Sequence, residues 1–400
     1  MSHARRIHHI RRVAAAVLFC SLTVSVLSAM PASAASSSAG EINRAVSEAM
    51  RYVERVRRVK FKSRPKTVVL NEVDFRAALR REQANDPASK RQVEDLNATL
   101  HALRLLRGDA TAQKLLDGLT ASGVLGYYSP KTKTMTIRGT KVTPLLRTIL
   151  VHELTHALDD QRHNLDRPEL ENVTDGTDEA FIYLVEGAAR WVENSYRDSL
   201  SRSQKSLLNA EELKLSFDPA LTRILLDEKY TRASLFVLPE LLNPYELGKV
   251  MVADLVAKEG TAGLEKAFTR FPTTTEQASS YAKYKLREPA VSIGTPPFTG
   301  TKVAEGTFGI GALNALFTTP TTLGSDLKLS DEVMGWGGDR YVVFDTPEKG
   351  TCFRLDVAMD TEKDRLELKG QLQMFADSVS ARVSEPTRDR LRLESCNTSG

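Results

Sequence analysis

The stretch "ILVHELTHALDDQ", residues 149–161, constrains this chain more than any other. An α-helix turns once per ~3.6 residues, so side chains four apart share a face. His152 and His156 can therefore grip one ion with two imidazoles. The surrounding run is apolar: Leu145, Leu146, Ile149, Leu150, Leu154, Ala157 and Leu158 trace a core-facing surface. Charged groups in such a helix cost several kcal/mol of desolvation unless they find partners. Thr143-Pro144 opens the helix, threonine as N-cap and proline in the first turn. The fold must therefore bury this helix and bring a partner to its histidines.

Catalytic zinc uses three protein ligands and keeps a water in the fourth position. A histidine six residues beyond the motif is excluded, because that position is Arg162. His163 is one residue off and lacks a glycine turn to place it. Glu186, in "AFIYLVEGAARWVE" (180–193), is the better candidate: an acid in an otherwise apolar stretch, followed by Gly187, Ala188 and Ala189. Small residues allow a second helix to pack closely, which would bring Glu186 onto the metal; the alternative is a buried glutamate paired with Arg190 one turn on. Glu153, beside the first histidine, projects toward the open position. Zinc lowers the pKa of bound water to roughly 7, and an adjacent carboxylate can take the proton. Glu179 and Asp160 are candidates to orient a ligand, or are solvated charges.

"VHELTHALDDQ" followed by "LVEGAA" resembles the gluzincin-type zinc metallopeptidases, and more closely a group of uncharacterised secreted bacterial proteins with HELTHAL-x-DQ and a later L-V-E-G-x-A. The likeness extends to "GVLGYYSPKTKTMTIRG" (123–139), "RFPTTTEQ" (270–277) and "GWGGDRYVVF" (335–344), and so to most of the chain. It implies a zincin-like fold, one Zn2+ held by His152, His156 and Glu186, and Glu153 as general base. Two positions depart from the pattern. Arg190 stands where thermolysin-like enzymes have an aspartate, and Ser280 where the closer group has a histidine. The family's oxyanion-stabilising residue would then be a tyrosine, with Tyr281, Tyr284 and Tyr245 as candidates.

The first 34 residues read as a cleaved secretory signal: a basic start with Arg5, Arg6, Arg11 and Arg12, an apolar run from Val13 to Met30, and an Ala32-Ser33-Ala34 cleavage site. The expected location is secreted or extracytoplasmic, with cell-wall association a further option. The 55 basic residues include those four arginines; without them, basic and acidic residues number 51 each. That balance gives no reason to expect a nucleic acid or an anionic lipid as partner. No later apolar run is long enough for stable membrane insertion. Cys352 and Cys396 remain, and an even pair in an exported chain reads as one disulfide.

The expected fold class is α+β. A largely helical zincin-like domain with an upstream β-hairpin would span 35–290, and a small C-terminal α+β module 300–400. Helices are expected at about 42–59, 92–119, 143–161, 177–200, 219–230, 243–258, 261–270 and 275–286. A capped start at Asn243-Pro244 opens the helix at 243–258. "KTVVL" (66–70) reads as a strand and Asn71 as a cap; residues 35–41 read as a disordered lead-in. The C-terminal module should hold a helix at 306–318, strands at 340–346 and 351–358, a helix at 361–376, and strands at 379–384 and 389–395. Gly337-Gly338 reads as a turn. His101 reads as structural. Strand Thr134 to Arg138, linked to the motif helix by a few residues, is expected as an edge that could add an extended substrate peptide.

These features point to an exported zinc-dependent peptidase acting on a protein or peptide substrate. The alternative is a metal-binding but catalytically inactive exported binding module. The intact Glu153 favours the former, since a scaffold has no use for a base beside its ligands.

Overall fold

The computed structural model describes residues 39–84, 87–120, 124–139, 141–170, 173–320 and 328–397. The signal segment read at 1–34 lies outside the described residues. The fold is α+β, as expected.

The chain opens with α1 (Ala39–Arg57), which starts inside the segment read as a disordered lead-in. β1 (Lys66–Leu70) follows, and the Asn71 side chain accepts from Asp74 N to start α2 (Glu72–Ala84). The single helix expected at 92–119 is instead two, α3 (Pro87–Ala102) and α4 (Ala112–Thr120). Arg104 and Gly108 between them both have a φ of 57°, a left-handed geometry that no helix can continue through. His101 is structural: its Nε2 lies 2.9 Å from the Ala110 carbonyl and helps tie this break together.

β2 (Gly126–Ser129) and β3 (Thr134–Arg138) form the expected hairpin, and α5 (Pro144–His163) carries the motif. The Thr143 hydroxyl accepts from Leu146 N and Pro144 occupies the first turn. Every residue of α5 from Thr148 to Asp160 is buried. Apolar groups of α1 (Ile42, Val46, Val53), β3 (Met135, Ile137) and α6 (Val192) pack around it. In the small sheet the order is β1-β3-β2, with β1 parallel and β2 antiparallel to β3. β3 is therefore central, and its ladder groups are spoken for on both sides. The expectation that Thr134–Arg138 is a free edge for substrate is wrong; the strand nearer the motif helix's cleft is β2. Met135 and Ile137 face the core, as the alternation requires.

α6 (Thr177–Ser199) supplies Glu186. α7 (Arg202–Ser216) was not anticipated, although its capping box of Ser201 and Gln204 is a local signal. After α8 (Pro219–Leu226), α9 spans Thr231 to Thr269 as two helical segments joined end to end at a kink. Asn243-Pro244 lies inside it and starts nothing. Pro239 and Pro244 each remove a backbone donor, yet the buried run Phe236, Val237, Leu241, Leu242 keeps the helix going. The expected break near residue 260 is real: Gly260 has φ 67° and kinks the helix. α10 (Thr275–Ser279) and α11 (Tyr281–Leu286) replace the single helix read at 275–286, divided at Ser280.

The C-terminal part holds β4 (Thr301–Gly306), α12 (Gly309–Ala315), β5 (Trp336–Thr346), β6 (Gly350–Met359), α13 (Glu362–Val379), β7 (Arg382–Thr387) and β8 (Arg390–Cys396). β4 was not foreseen. The sheet order is β4-β5-β6-β8-β7, all neighbours antiparallel. Cys352 and Cys396 face each other across β6 and β8 and are disulfide-bonded, joining the strands the sequence named. Gly337-Gly338 is not a turn but part of a β-bulge within β5. It re-aims Asp339 inward, where Phe308 N, Gly309 N and Trp336 Nε1 donate to it. One hydrophobic core joins this sheet and α13 to α3, α4 and the first half of α9, with Leu100, Leu103 and Leu115 packed in the same cluster as Phe353, Leu355 and Leu368.

Candidate metal centre

α5 and α6 cross so that three donor atoms meet. His152 Nε2 and His156 Nε2 are 3.1 Å apart, and Glu186 Oε2 lies 3.3 Å from the first and 3.2 Å from the second. All three residues are buried. Donors about 2.05 Å from a tetrahedral ion stand roughly 3.3 Å from one another, so this spacing is that of a coordination shell. A cation between them, or a proton on an imidazole, relieves the opposition of the three buried lone-pair donors. His156 Nδ1, also buried, has no hydrogen-bond partner among the described residues, and the buried Glu153 carboxylate has no side-chain partner there. The donor set of two imidazoles and one carboxylate suits zinc, and the residues present fit such an ion.

The outer nitrogen of His152 is held. Its Nδ1 lies 3.0 Å from Glu193 Oε2, so an N–H there donates to the carboxylate and leaves Nε2 free for the ion. Glu193 is itself gripped by Arg190 at 2.6 Å and Arg197 at 2.7 Å. Arg190 reaches on to Glu246 and Arg197 to Glu212. Burial works against the charge of Glu193, but the two guanidinium groups win and hold its pKa well below the usual carboxylate range. Burial alone would likewise lower His152; Glu186 and Glu193 outweigh it and raise His152 in the absence of an ion. Glu186 moves the opposite way, lowered by the two histidines against burial.

Glu193 was not anticipated, although it lies seven residues beyond Glu186, two turns along the same face of α6. The roles expected nearby fall differently. Arg190 pairs with Glu193 and not with Glu186. Asp160 does not touch a ligand: it accepts from Tyr128 Oη at 2.7 Å and Leu165 N at 2.9 Å, pairs with Lys133, and so clasps the hairpin to α5. Glu179 is buried near Asp339 and Gly309, away from the histidines. His163 pairs with Glu265 at 3.0 Å and stacks on Phe268, a structural role. We expect Glu193→Gln to weaken zinc affinity by about 10–100-fold while the fold persists. Chelator competition reads this directly, and an unchanged affinity would show that Glu193 does not orient His152.

The small residues after Glu186 do allow close packing, though with a different result from the one expected. A Cβ on Gly187 would lie 2.3 Å from the Gly248 carbonyl carbon, and one on Gly248 would lie 2.1 Å from the Tyr183 carbonyl oxygen. Only glycine at both positions lets α6 and α9 approach this far. The helix drawn in carries Tyr245, one turn before Gly248. The Tyr245 ring stacks on His152 with centroids 5.8 Å apart, and its buried hydroxyl faces the Glu186 carboxylate. Burial, then the Glu186 and Glu153 carboxylates, raise its pKa well above the ordinary tyrosine value. Of the three candidate tyrosines, this one is at the site. Tyr281 bonds Glu259 and Tyr284 bonds the Arg270 carbonyl.

Glu153 faces a cleft of ≈ 80 Å³ that it shares with His156 and Glu186. Tyr128 and Pro130 of the hairpin form one wall; Leu165, Phe181, Ile182 and Val185 form the other. Burial first, and then the Glu186 charge, raise the Glu153 pKa; His152 and His156 act in the other direction. The arrangement is a buried three-ligand site with an ionisable carboxylate beside it and an opening on one side. No family model, curated protein or solved structure matches the chain.

Proposed function

We propose that the chain is an exported zinc-dependent peptidase. The observation that carries this is the position of Glu153: a buried carboxylate with no side-chain hydrogen-bond partner among the described residues, opening on the same cleft as His156 and Glu186. A buried carboxylate without a side-chain partner carries a desolvation cost that a scaffold would shed. Zinc held by His152, His156 and Glu186 supplies a Lewis acid that polarises a carbonyl and acidifies water.

The chain's own groups then have defined tasks. Glu153 accepts a proton from the attacking water and can return it to the leaving amine. Its raised pKa brings it nearer the range where it can do both. Tyr245 stays neutral at any working pH and so keeps an O–H to donate to the oxyanion of a tetrahedral intermediate. Leu165, Phe181, Ile182 and Val185 exclude water and favour a peptide with an apolar side chain beside the scissile bond.

The test is hydrolysis of casein and a peptide library by the mature protein. Activity should need one equivalent of zinc, disappear with a chelator and return on zinc addition. A zinc-loaded, folded protein that leaves every peptide intact would defeat the reading. Tyr245→Phe should lower kcat by about 10²-fold with KM and zinc content little changed. A kcat within threefold of the parent would remove Tyr245 from the chemistry.

A further inference from the structure

On the side of α5 that carries Arg147 and Val151, where α1, α5 and α6 meet, lies a hollow of ≈ 320 Å³. It shares no lining residue with the cleft at Glu153. Its floor is made of small buried residues, Ala45, Ala49 and Val151. No large side chain from the three helices fills the space.

The rim is polar and fixed. Arg147 pairs with Glu48 at 2.5 Å, and this guanidinium is the first cause of Glu48's lowered pKa. Arg51 and Arg55 stand one turn apart on α1. Arg51 forms no ion pair among the described residues, and Arg55 lies 4.7 Å over the Tyr52 ring. Tyr52 is held in turn by Ser195 Oγ at 3.1 Å and by an edge-to-face contact with Tyr196 at 5.1 Å. Three guanidinium groups thus meet one carboxylate around the hollow. The excess is local and concentrated in a concavity.

We infer that this hollow binds an anionic saccharide, a sugar ring bearing a carboxylate or a phosphate. Guanidinium forks match the planar geometry of either oxyanion. Glu48 and the tyrosine hydroxyls can meet ring hydroxyls, and the Ala45, Ala49 and Val151 floor meets the apolar C–H face. The volume is that of a small-ligand site and suits roughly one or two rings; an extended peptide would need a longer trough.

The experiment is calorimetric titration of the mature, zinc-loaded protein with tetragalacturonate, glucose 1-phosphate and inorganic phosphate. Uncharged maltotetraose and an acidic tetrapeptide serve as comparators. Binding of the uronate or the sugar phosphate is expected, and it should weaken with added salt. Whichever of the two binds identifies the source of the charge. The Arg51→Glu/Arg55→Glu variant, altered only at exposed positions, should raise that Kd at least tenfold while peptide hydrolysis stays unchanged. The proposal is overturned if neither acidic sugar binds at millimolar concentration, or if the variant binds equally well. Maltotetraose, the acidic peptide or free phosphate binding as tightly as the acidic sugar would overturn it too. Binding is read without any turnover, so the result stands apart from the peptidase reading.

Discussion

Glu153→Gln should retain its metal and its fold and lose hydrolysis by at least ~10²–10⁴-fold. Glutamine has nearly the same shape but cannot take the proton from water. His152, His156 and Glu186 keep their positions, because Glu153 bonds to none of them. A second expectation follows from burial. The carboxylate is fully buried, and the cost of its charge is borne without a side-chain hydrogen bond among the described residues. Removing that charge should leave thermal stability unchanged or higher, the pattern of a residue kept for function. Activity surviving within a few fold would end the hydrolytic reading. A large fall in Tm would show that Glu153 is structural.

The fold was legible where a local rule decided it. Thr143-Pro144 marks the start of α5 and Asn71 that of α2, because caps act through groups only two or three residues away. The disulfide was legible because, once the first 34 residues are set aside, only two cysteines remain to pair. The candidate metal group was legible for a similar reason: the i, i+4 histidines need a third donor, and Glu186 is an acid in an apolar run.

What failed depended on partners distant in sequence. Nothing in "TMTIR" says that β1, more than sixty residues earlier, pairs along its free side; this placed β3 in the centre of its sheet. Asn243-Pro244 looks like a helix start because its local chemistry is that of one, yet tertiary packing overrides two prolines. Gly187 was read as admitting the histidine helix. Its close neighbour is Gly248, and the consequence is the placement of Tyr245. Nothing in the sequence singles out Glu193; only the fold shows two arginines gripping it beside His152.

Loss of Glu186 should be the most damaging single change to the metal. In Glu186→Ala the two histidines remain, still four residues apart and still capped on one side by Glu193. Two imidazoles from one helix turn form an incomplete shell, since zinc sites use three protein ligands when catalytic and four when structural. Zinc content should therefore fall from about one equivalent to near none after dialysis against a weak chelator, and hydrolysis should vanish with it. The same change has a signature in stability. An ion that binds only the folded chain raises Tm by mass action, so adding zinc should stabilise the parent protein and leave Glu186→Ala almost unmoved. Proton competition gives the sign of the pH dependence. Ligation needs His152 Nε2 free of its proton, while Glu186 and Glu193 hold His152 in the protonated form when no ion is present. Lowering the pH must then favour the proton over the metal, and zinc should leave the parent as acid is added. Full zinc occupancy in Glu186→Ala, with its Tm still responding to zinc, would mean that a different residue closes the shell.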